Sequence, residues 1–330
     1  MSVGIDGVVE ALLASDEPSV VLATRRDVLG EDGRSLVELG NQVRDSPRAR
    51  ALIAGVPPGP VYNKWHGAHW VLADLADLGY PSGATELTAF RDRVLDNWLR
   101  PEYYSEYEAN SKAASYRKPA VPVIAGRHRR CASQQGNALR SIIRLGLADD
   151  RAERLVERLL HWQWPDGGWN CDRNPAAHTS SFMETLSPMR GLAAYATWRD
   201  DESARARARA AAEVFLSRDL FRRRRDGQPI DPGFLKLHHP LYWHYDLLGG
   251  LVAMAELGIL GDPRCAAALD LLESKRLADG GWPAEAKLYA TSDAPRNGTT
   301  SVDWGGASRK RMNPWVTVQA LSILTKAGRI

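Results

Sequence analysis

Four groups of polar residues in this chain have the types and spacing that acid–base chemistry or metal binding needs. The richest is the run from His238 to Asp246, which also holds Tyr242 and His244. Pro240 suits the first position of a helix, which would put Tyr242 and Asp246 four residues apart on one face. A carboxylate and an imidazole at the buried start of an apolar helix must be paired, either in a structural network or in a site. We predict Asp246 as an acid or base, with His244 as its partner.

The members of the second group, Cys171, Asp172, His178 and Glu184, lie close together in the sequence, before the first group. A carboxylate at the mouth of a cavity can act as a general acid, and Cys, Asp and His can hold zinc. Ser181 and Glu184 have the spacing of a capping box, so Glu184 also has a structural interpretation. We predict Asp172 and Glu184 as further candidates for acid–base chemistry.

The third group surrounds Asp303, which precedes Trp304 and a pair of glycines. Arg311 could pair with this aspartate or bind an anion of the substrate, such as a phosphate. Asn313 and Pro314 fit a helix N-cap and the first helical position, and so are explained structurally. We predict Asp303 as a second acid or base and Arg311 as a substrate-binding residue.

The fourth group offers metal ligands without establishing a metal. His66 and His69 lie three residues apart and could share a helix face. Cys131 and Cys171 with one histidine, such as His178, would form a thiolate zinc site, although the three cysteines of the chain follow no C-x-x-C spacing. We therefore predict no cofactor, keep zinc as a candidate, and expect reduced thiols.

The elements that must position these residues are helices, because the alternation typical of strands is nearly absent. Some segments are apolar over most of their circumference, which predicts helices buried on every side: residues 65–80, 133–147, 180–196, 242–258 and 314–328. Between them lie segments with apolar residues on one face only: residues 86–98, 151–162, 202–216 and 263–275. Repetition of such pairs predicts helical hairpins arranged as a two-layer ring.

We therefore predict an all-α chain with a single domain. Residues 61–330 would form an α/α toroid of about five or six helical hairpins around a central cavity. Residues 1–60, which hold shorter helical patterns and several prolines, would form an N-terminal helical extension.

The composition narrows the function classes. The 330 residues are 44% hydrophobic and 25% charged, which is ordinary for a folded soluble chain. A net charge of only +3 does not favour nucleic acid as a partner. No apolar stretch approaches the roughly 20 residues of a membrane span, and the N-terminus lacks the pattern of a signal peptide. We expect a cytoplasmic protein that binds a small molecule. The sequence does not indicate how many copies of the chain associate.

A repeated motif carries a family resemblance. Residues 163–169 read Gln-Trp-Pro-Asp-Gly-Gly-Trp, and residues 276–282 repeat the pattern as Arg-Leu-Ala-Asp-Gly-Gly-Trp. The chain resembles the terpene cyclase and protein prenyltransferase superfamily, whose α/α toroids carry Q-x-x-x-G-x-W repeats. The resemblance covers roughly residues 61–330. It implies a central cavity that binds a small, largely hydrophobic substrate for cyclization or transfer.

The chemistry that this resemblance implies needs an acid and an aromatic wall. A carboxyl group of raised pKa can supply an initiating proton, and aromatic faces can stabilise a carbocation. The sequence lacks both the Asp-x-Asp-Asp acid of class II cyclases and the Asp-x-Cys zinc pair of prenyltransferases. We assign the wall, as substrate-binding residues, to Trp65, Trp169, Tyr242, Trp304 and Trp315.

Two other functions fit the same residues. Carbohydrate-active enzymes, glycosidases or polysaccharide lyases, also use α/α toroids, and paired carboxylates across an open groove would favour them. A non-catalytic helical-repeat module would instead have its polar groups mutually satisfied and inaccessible.

Overall fold

The computed structural model describes residues 4–294 and 296–330, and about 51% of the chain is helical. The chain is therefore mostly α-helical, although the predicted all-α fold did not include the five short strands described below. The first part of the chain forms four helices: α1 (Ile5–Leu13), α2 (Pro18–Ala23), α3 (Arg34–Asp45) and α4 (Pro47–Ala54). A π-helical segment, Thr24–Val28, continues directly from α2.

The remaining helices alternate as the apolar pattern predicts. In chain order they are α5 (Ala68–Leu78), α6 (Thr88–Trp98), α7 (Ser133–Arg144), α8 (Arg151–Trp162), α9 (Phe182–Arg199), α10 (Glu202–Leu216), α11 (Leu247–Glu256), α12 (Ala266–Ser274) and α13 (Pro314–Lys326). The odd-numbered helices of this set correspond to the segments predicted to be buried. The even-numbered ones correspond to the segments with one apolar face.

The start of α11 differs from the prediction. Pro240 does not open this helix; residues 238–245 have no helical structure, and α11 begins only at Leu247. The reason is Asp246, whose carboxylate accepts a hydrogen bond from the backbone N–H of Gly249 at 2.7 Å and so caps the helix. Tyr242 and Asp246 therefore do not share a helix face.

Strands are short and lie in loops between helices. Strand β1 (Glu106–Glu108) pairs in parallel with β2 (Val121–Ile124), which pairs antiparallel with β3 (Arg127–His128). A second pair joins β4 (Ala290–Thr291) to β5 (Thr299–Thr300). Segments of two to four residues leave too little alternation to stand out in the sequence.

Consecutive apolar helices are neighbours in space. Helix α5 packs against α7, α7 against α9, α9 against α11, and α11 against α13. Helix α13 also packs against α2 and the π-helical segment, and α2 in turn contacts α5. Buried apolar residues of both helix sets and of α1 to α4 form one continuous core.

The closest of these contacts joins α7 to α9. A Cβ atom on Gly136 would lie 2.3 Å from the backbone nitrogen of Pro188, and one on Gly191 would lie 2.6 Å from the Gly136 carbonyl oxygen. Only hydrogen side chains let the two backbones approach this closely. Pro188 lies inside α9, which continues past it to Arg199.

The two copies of the repeated motif have matching hydrogen bonds. In the first copy, the Gln163 side-chain amide donates to the carbonyl of Gly167 at 2.6 Å. In the second, Arg276 Nε donates to the carbonyl of Gly280 at 2.8 Å. Gly167 and Gly280 both have positive φ, at 94° and 85°. The arginine thus makes the turn contact that the glutamine makes in the first copy.

The tryptophan that ends each copy is also used in the same way. Trp169 and Trp282 are fully buried, and each ring N–H donates to the carbonyl of the residue ten positions earlier, at 2.9 and 2.7 Å. Their backbone N–H groups donate to the hydroxyls of Thr185 on α9 and Thr317 on α13. Each motif therefore ties one even-numbered helix to the next odd-numbered helix.

Within the described residues, none of the helices combines the length and the apolar character that crossing a bilayer requires.

Candidate functional site

A cavity of about 640 Å³ lies among the odd-numbered helices. All five of them, from α5 to α13, contribute to its wall, together with α2, the π-helical segment, and His239 and Leu241 of the loop before α11. Much of the wall is apolar, including Ile143, Trp198, Val252, Trp315 and Val318. A volume of this size suits a small organic molecule.

A charged network occupies one part of this wall. Arg140 donates to Asp77 and to Glu256, each at 3.0 Å. Arg190 binds the same Glu256 carboxylate with two nitrogens, at 2.6 and 2.7 Å. The guanidinium groups of Arg140 and Arg190 are almost completely buried, so paired geometry is needed to offset their lost hydration.

Positive charge exceeds negative charge in this network. Burial alone would raise the pKa of Asp77, but the neighbouring arginines overcome it and hold that pKa at about 2. The pKa of Glu256 is likewise lowered, because Arg190 and Arg140 outweigh burial. Burial and the like charge of Arg140 lower the pKa of Arg144 to about 10. The cavity lining carries five cationic side chains against three carboxylates, which favours an anionic ligand.

Asp74 has a raised pKa, in contrast to Asp77 and Glu256. It lies on α5, fully buried, and burial together with the negative charge of Asp77 raises its pKa well above the usual range. Its atom Oδ2 has no hydrogen-bond partner among the described residues. Asp74 lines a second, closed cavity of about 20 Å³, which shares Asp77, Arg140 and Arg190 with the large cavity. A carboxyl group of raised pKa therefore lies beside the wall of the large cavity.

Three of the predicted wall residues form one aromatic cluster beside Asp74. The rings of Trp65 and Tyr242 stack at 4.3 Å, and the Trp304 ring N–H donates to the Tyr242 hydroxyl at 3.1 Å. Tyr242 also lines the small cavity together with Asp74, and the two side chains affect each other electrostatically. Burial, with the Asp74 charge, raises the pKa of Tyr242 well above its usual value, so its hydroxyl keeps its proton.

The two remaining wall residues lie apart from this cluster. Trp315 lines the large cavity, stacks on His239 at 5.5 Å and donates to the Ser19 hydroxyl at 3.3 Å. Burial lowers the pKa of His239 to about 3, so this ring is neutral. Trp169 packs between helices in the core and lines neither cavity.

Asp246, the leading predicted acid, is a structural residue. It is completely buried, caps α11, and its other carboxylate oxygen lies 2.8 Å from Nδ1 of His238 and accepts the His238 backbone N–H at 3.0 Å. Burial lowers the pKa of His238, but the Asp246 charge reverses this and leaves it raised. The predicted partner His244 is half-buried near Trp65, and Asp246 lines neither cavity.

Asp303 and Arg311 do not meet. Asp303 is exposed and accepts a hydrogen bond from the Tyr289 hydroxyl at 2.6 Å, while its backbone carbonyl accepts one from Arg48. Arg311 is exposed, and its backbone N–H donates to the Ser308 hydroxyl at 3.1 Å. Neither residue lines the large cavity.

The predicted capping box is absent. The Ser181 side chain makes no capping hydrogen bond, and Glu184 instead accepts the backbone N–H of Ser133 at the start of α7, at 3.2 Å. Its other oxygen accepts the thiol of Cys171 at 3.4 Å. Asp172 is exposed and closes a turn by accepting the backbone N–H of Asn174. Glu184 therefore bridges two helix starts.

The candidate zinc ligands separate into a group and an outlier. One ligand atom from each of Cys131, Cys171 and Glu184 lies within 4.8 Å of the other two. His178 is exposed, and its ring nitrogen Nδ1 lies 2.8 Å from the carbonyl of Ala176 instead. His66 and His69 make separate contacts. Nε2 of His66 contacts the Thr299 hydroxyl, and Nδ1 of His69 accepts the Trp98 ring N–H at 3.1 Å.

The cavity residues escaped the sequence interpretation because they lie on helices identified by their apolar character. Asp74 and Asp77 on α5, Arg140 on α7, Arg190 on α9 and Glu256 on α11 all fall within those segments. A charged residue inside an otherwise buried helix is costly unless it is paired or functional. The cavity residues could thus have been found by looking for charged residues inside the apolar helical segments, rather than for polar residues near helix starts.

Comparison with protein-family models and with curated proteins gives no match for this chain.

Proposed function

We propose that the odd-numbered helices, together with α2 and its π-helical extension, close into the inner ring of an α/α toroid. The chain of contacts from α5 to α13, and from α13 through α2 back to α5, supports a ring of six inner elements. The matching turns at residues 163–169 and 276–282 support a repeating hairpin. On this proposal, part of the N-terminal extension completes the toroid.

The central cavity is then the active site of a terpene-cyclase-like or prenyltransferase-like enzyme. Its substrate is a small amphipathic molecule with an apolar chain and an anionic group. The apolar wall would bury the chain, and the surplus positive charge around Arg144 would bind the anion. A prenyl diphosphate has this combination.

Asp74 replaces Asp246 and Asp303 as the proposed acid. Its protonated carboxyl would donate a proton to a carbon–carbon double bond of the substrate, leaving a carboxylate and a carbocation. The Tyr242 hydroxyl, which lines the small cavity with Asp74, would donate to that carboxylate and stabilise it. The ring of Tyr242, which lines the small cavity beside Asp74, would stabilise the cation. Loss of a proton, or capture of water, would then release the product.

The observation that carries this proposal is the position of a buried carboxyl of raised pKa beside a 640 Å³ cavity with excess positive charge. Perturbed acids adjoining cavities are typical of active sites.

Calorimetric titration with prenyl diphosphates of increasing length, and with the matching prenyl alcohols, tests the proposal. We expect saturable binding of at least one diphosphate and much weaker binding of its alcohol. Product analysis of the same mixtures should show turnover by the wild type and at least ~100-fold slower turnover by Asp74→Asn. Absence of binding by every member of both series would contradict the proposal. Binding without turnover in the wild type would favour the non-catalytic module.

A further inference from the structure

A third cavity, of about 230 Å³, lies near the starts of α7 and α9. Cys131 and Cys171 line it, together with Arg129, Arg130 and Arg173. These residues are separate from the wall of the large cavity and have no part in the proposed proton chemistry.

The two cysteines and Glu184 have the arrangement of a metal-ligand set. Their ligand atoms all lie within 4.8 Å of one another, and the Cys171 sulfur is already 3.4 Å from the Glu184 oxygen. Two thiolates bound to one tetrahedral zinc at 2.3 Å lie about 3.8 Å apart, so small side-chain rotations would complete the set. The residues come from the loops that precede α7 and α9 and from the first turn of α9 itself.

A hydrogen bond from the backbone holds the carboxylate of Glu184 in position. Glu184 is only 4% exposed, and its other oxygen accepts the Ser133 backbone N–H. The free thiol of Cys171 donates to Glu184, so a metal would take the place of that thiol proton. Ligands held in this way by backbone contacts are oriented before the metal arrives.

We propose that Cys131, Cys171 and Glu184 bind a zinc-class divalent cation, with the fourth coordination position open to the 230 Å³ cavity. Binding releases the two thiol protons to solvent, so the site is two thiolates, one carboxylate and the cation. The net charge of that set is one negative, and Arg130 and Arg173, which act electrostatically on Cys131, are placed to balance it. Three protein ligands and one open position are the pattern of a catalytic rather than a structural zinc site.

The cavity above the site also selects its ligands. Four cationic side chains line it, those of Lys118, Arg129, Arg130 and Arg173, against the single carboxylate of Glu102. A small anion that coordinates the metal at its open position would therefore be favoured.

Cobalt(II) titration of the reduced, metal-stripped full-length chain tests the proposal. We expect one equivalent to bind with the thiolate-to-cobalt charge-transfer absorption and the intense visible bands of a tetrahedral site. Cys131→Ser and Cys171→Ser should weaken binding at least ~100-fold, and Glu184→Gln at least ~10-fold. The glutamine retains an oxygen for the Ser133 N–H, so this variant separates metal binding from folding.

Two control variants test whether other residues bind the metal. Cys265→Ser changes the third cysteine, which is buried near α12, and should leave binding unchanged. His161→Ala disrupts the exposed group of Glu106, His128 and His161, which could bind metal at the surface, and should also leave the charge-transfer band unchanged.

The proposal is overturned if cobalt binds without the charge-transfer band, or if only His161→Ala removes binding. It is also overturned if reduced protein binds less than a tenth of an equivalent of both cobalt and zinc while all three thiols react with a thiol reagent. None of these results bears on Asp74, because the metal site and the central cavity share no residue.

Discussion

Asp74 and Asp77 lie one turn apart on α5, and their surroundings shift the pKa values of their carboxyl groups in opposite directions. Asp77 is paired with Arg140 at 3.0 Å, and its pKa is held at about 2. No cationic side chain among the described residues lies at hydrogen-bond distance from Asp74, and burial raises its pKa well above the usual range. Two carboxyl groups whose environments separate their pKa values are a common basis for acid and base assignments.

This difference predicts opposite effects of substitution on stability. Because the folded-state pKa of Asp74 is raised, its contribution is fully present below the unfolded value of about 3.9 and is lost as pH rises. Asp74→Asn should therefore be more stable than the wild type at neutral pH. The gain should grow above pH 4 by up to about 1.4 kcal/mol per pH unit until the folded-state pKa is reached. Denaturant unfolding between pH 4 and pH 8 measures it.

Asp77→Asn should behave in the reverse way. The folded-state pKa of Asp77 is lowered, so its contribution is present above the unfolded value of about 3.9 and is lost as pH falls towards 2. Leaving Arg140 with one fewer carboxylate should cost about 2 kcal/mol at neutral pH, and the cost should shrink on acidification. Equal and pH-independent effects of the two substitutions would contradict the assignment.

Glu256 should be the most important carboxylate of the network for stability. It accepts hydrogen bonds from both Arg140 and Arg190, whose guanidinium groups are buried. Glu256→Gln should lower the free energy of unfolding by about 3 kcal/mol, because buried Arg190 loses its carboxylate partner and buried Arg140 loses one of two. The control is Glu202→Gln on the exposed start of α10, which should stay within about 0.5 kcal/mol of the wild type. A difference of less than 1 kcal/mol between these variants would refute this role for Glu256.

Arg144 should bind the anionic group of the ligand. Its contacts with Asp77 and Glu256 are the longest in the network, at 3.3 and 3.9 Å, and its pKa is lowered to about 10. We expect inorganic pyrophosphate to raise the melting temperature of the wild type. Arg144→Met should weaken this binding at least ~10-fold with little loss of stability. Arg264→Met, on the outer surface, serves as the control and should leave pyrophosphate binding unchanged.

The contact between α7 and α9 should be intolerant of any added atom. In Gly136→Ala, the new Cβ would lie 2.3 Å from Pro188 backbone, so the helices must separate. We expect a loss of about 3 kcal/mol, measured by denaturant unfolding. Gly261→Ala places its Cβ in open space and should cost less than about 1 kcal/mol. Similar losses in both variants would show that the close approach is not what limits this position.

The helices could be predicted from sequence because their signal is repeated along the chain. The apolar segments and the amphipathic segments between them coincide with α5 to α13, to within a few residues at most ends. The exception is α11, where Pro240 suggested a start seven residues too early. Asp246 supplies the actual cap, and its carboxylate is used twice, for Gly249 and for His238. Pro240 and Asp246 are both residue types that commonly begin a helix. Only the additional contact with His238 favours Asp246.

The candidate site was harder to predict because its charges are paired across helices. Arg140 and Glu256 are 116 positions apart, and nothing in the local sequence indicates that they meet. Glu184 shows the same limit: its spacing from Ser181 predicts a capping box, whereas the structure pairs it with the start of α7 and with Cys171. Of the predicted wall, Trp65, Tyr242 and Trp304 do meet in one cluster, and the last of these is 62 positions from Tyr242.

Turnover of a prenyl diphosphate in deuterium oxide, followed by mass spectrometry of the product, tests the assignment of Asp74 most directly. The Asp74 proton exchanges with solvent, so each molecule of product made by the wild type should carry one deuterium from the initiating step. Asp74→Asn should still bind the substrate but turn over at least ~100-fold more slowly. Product without solvent deuterium, or wild-type turnover by Asp74→Asn, would show that this carboxyl is not the acid.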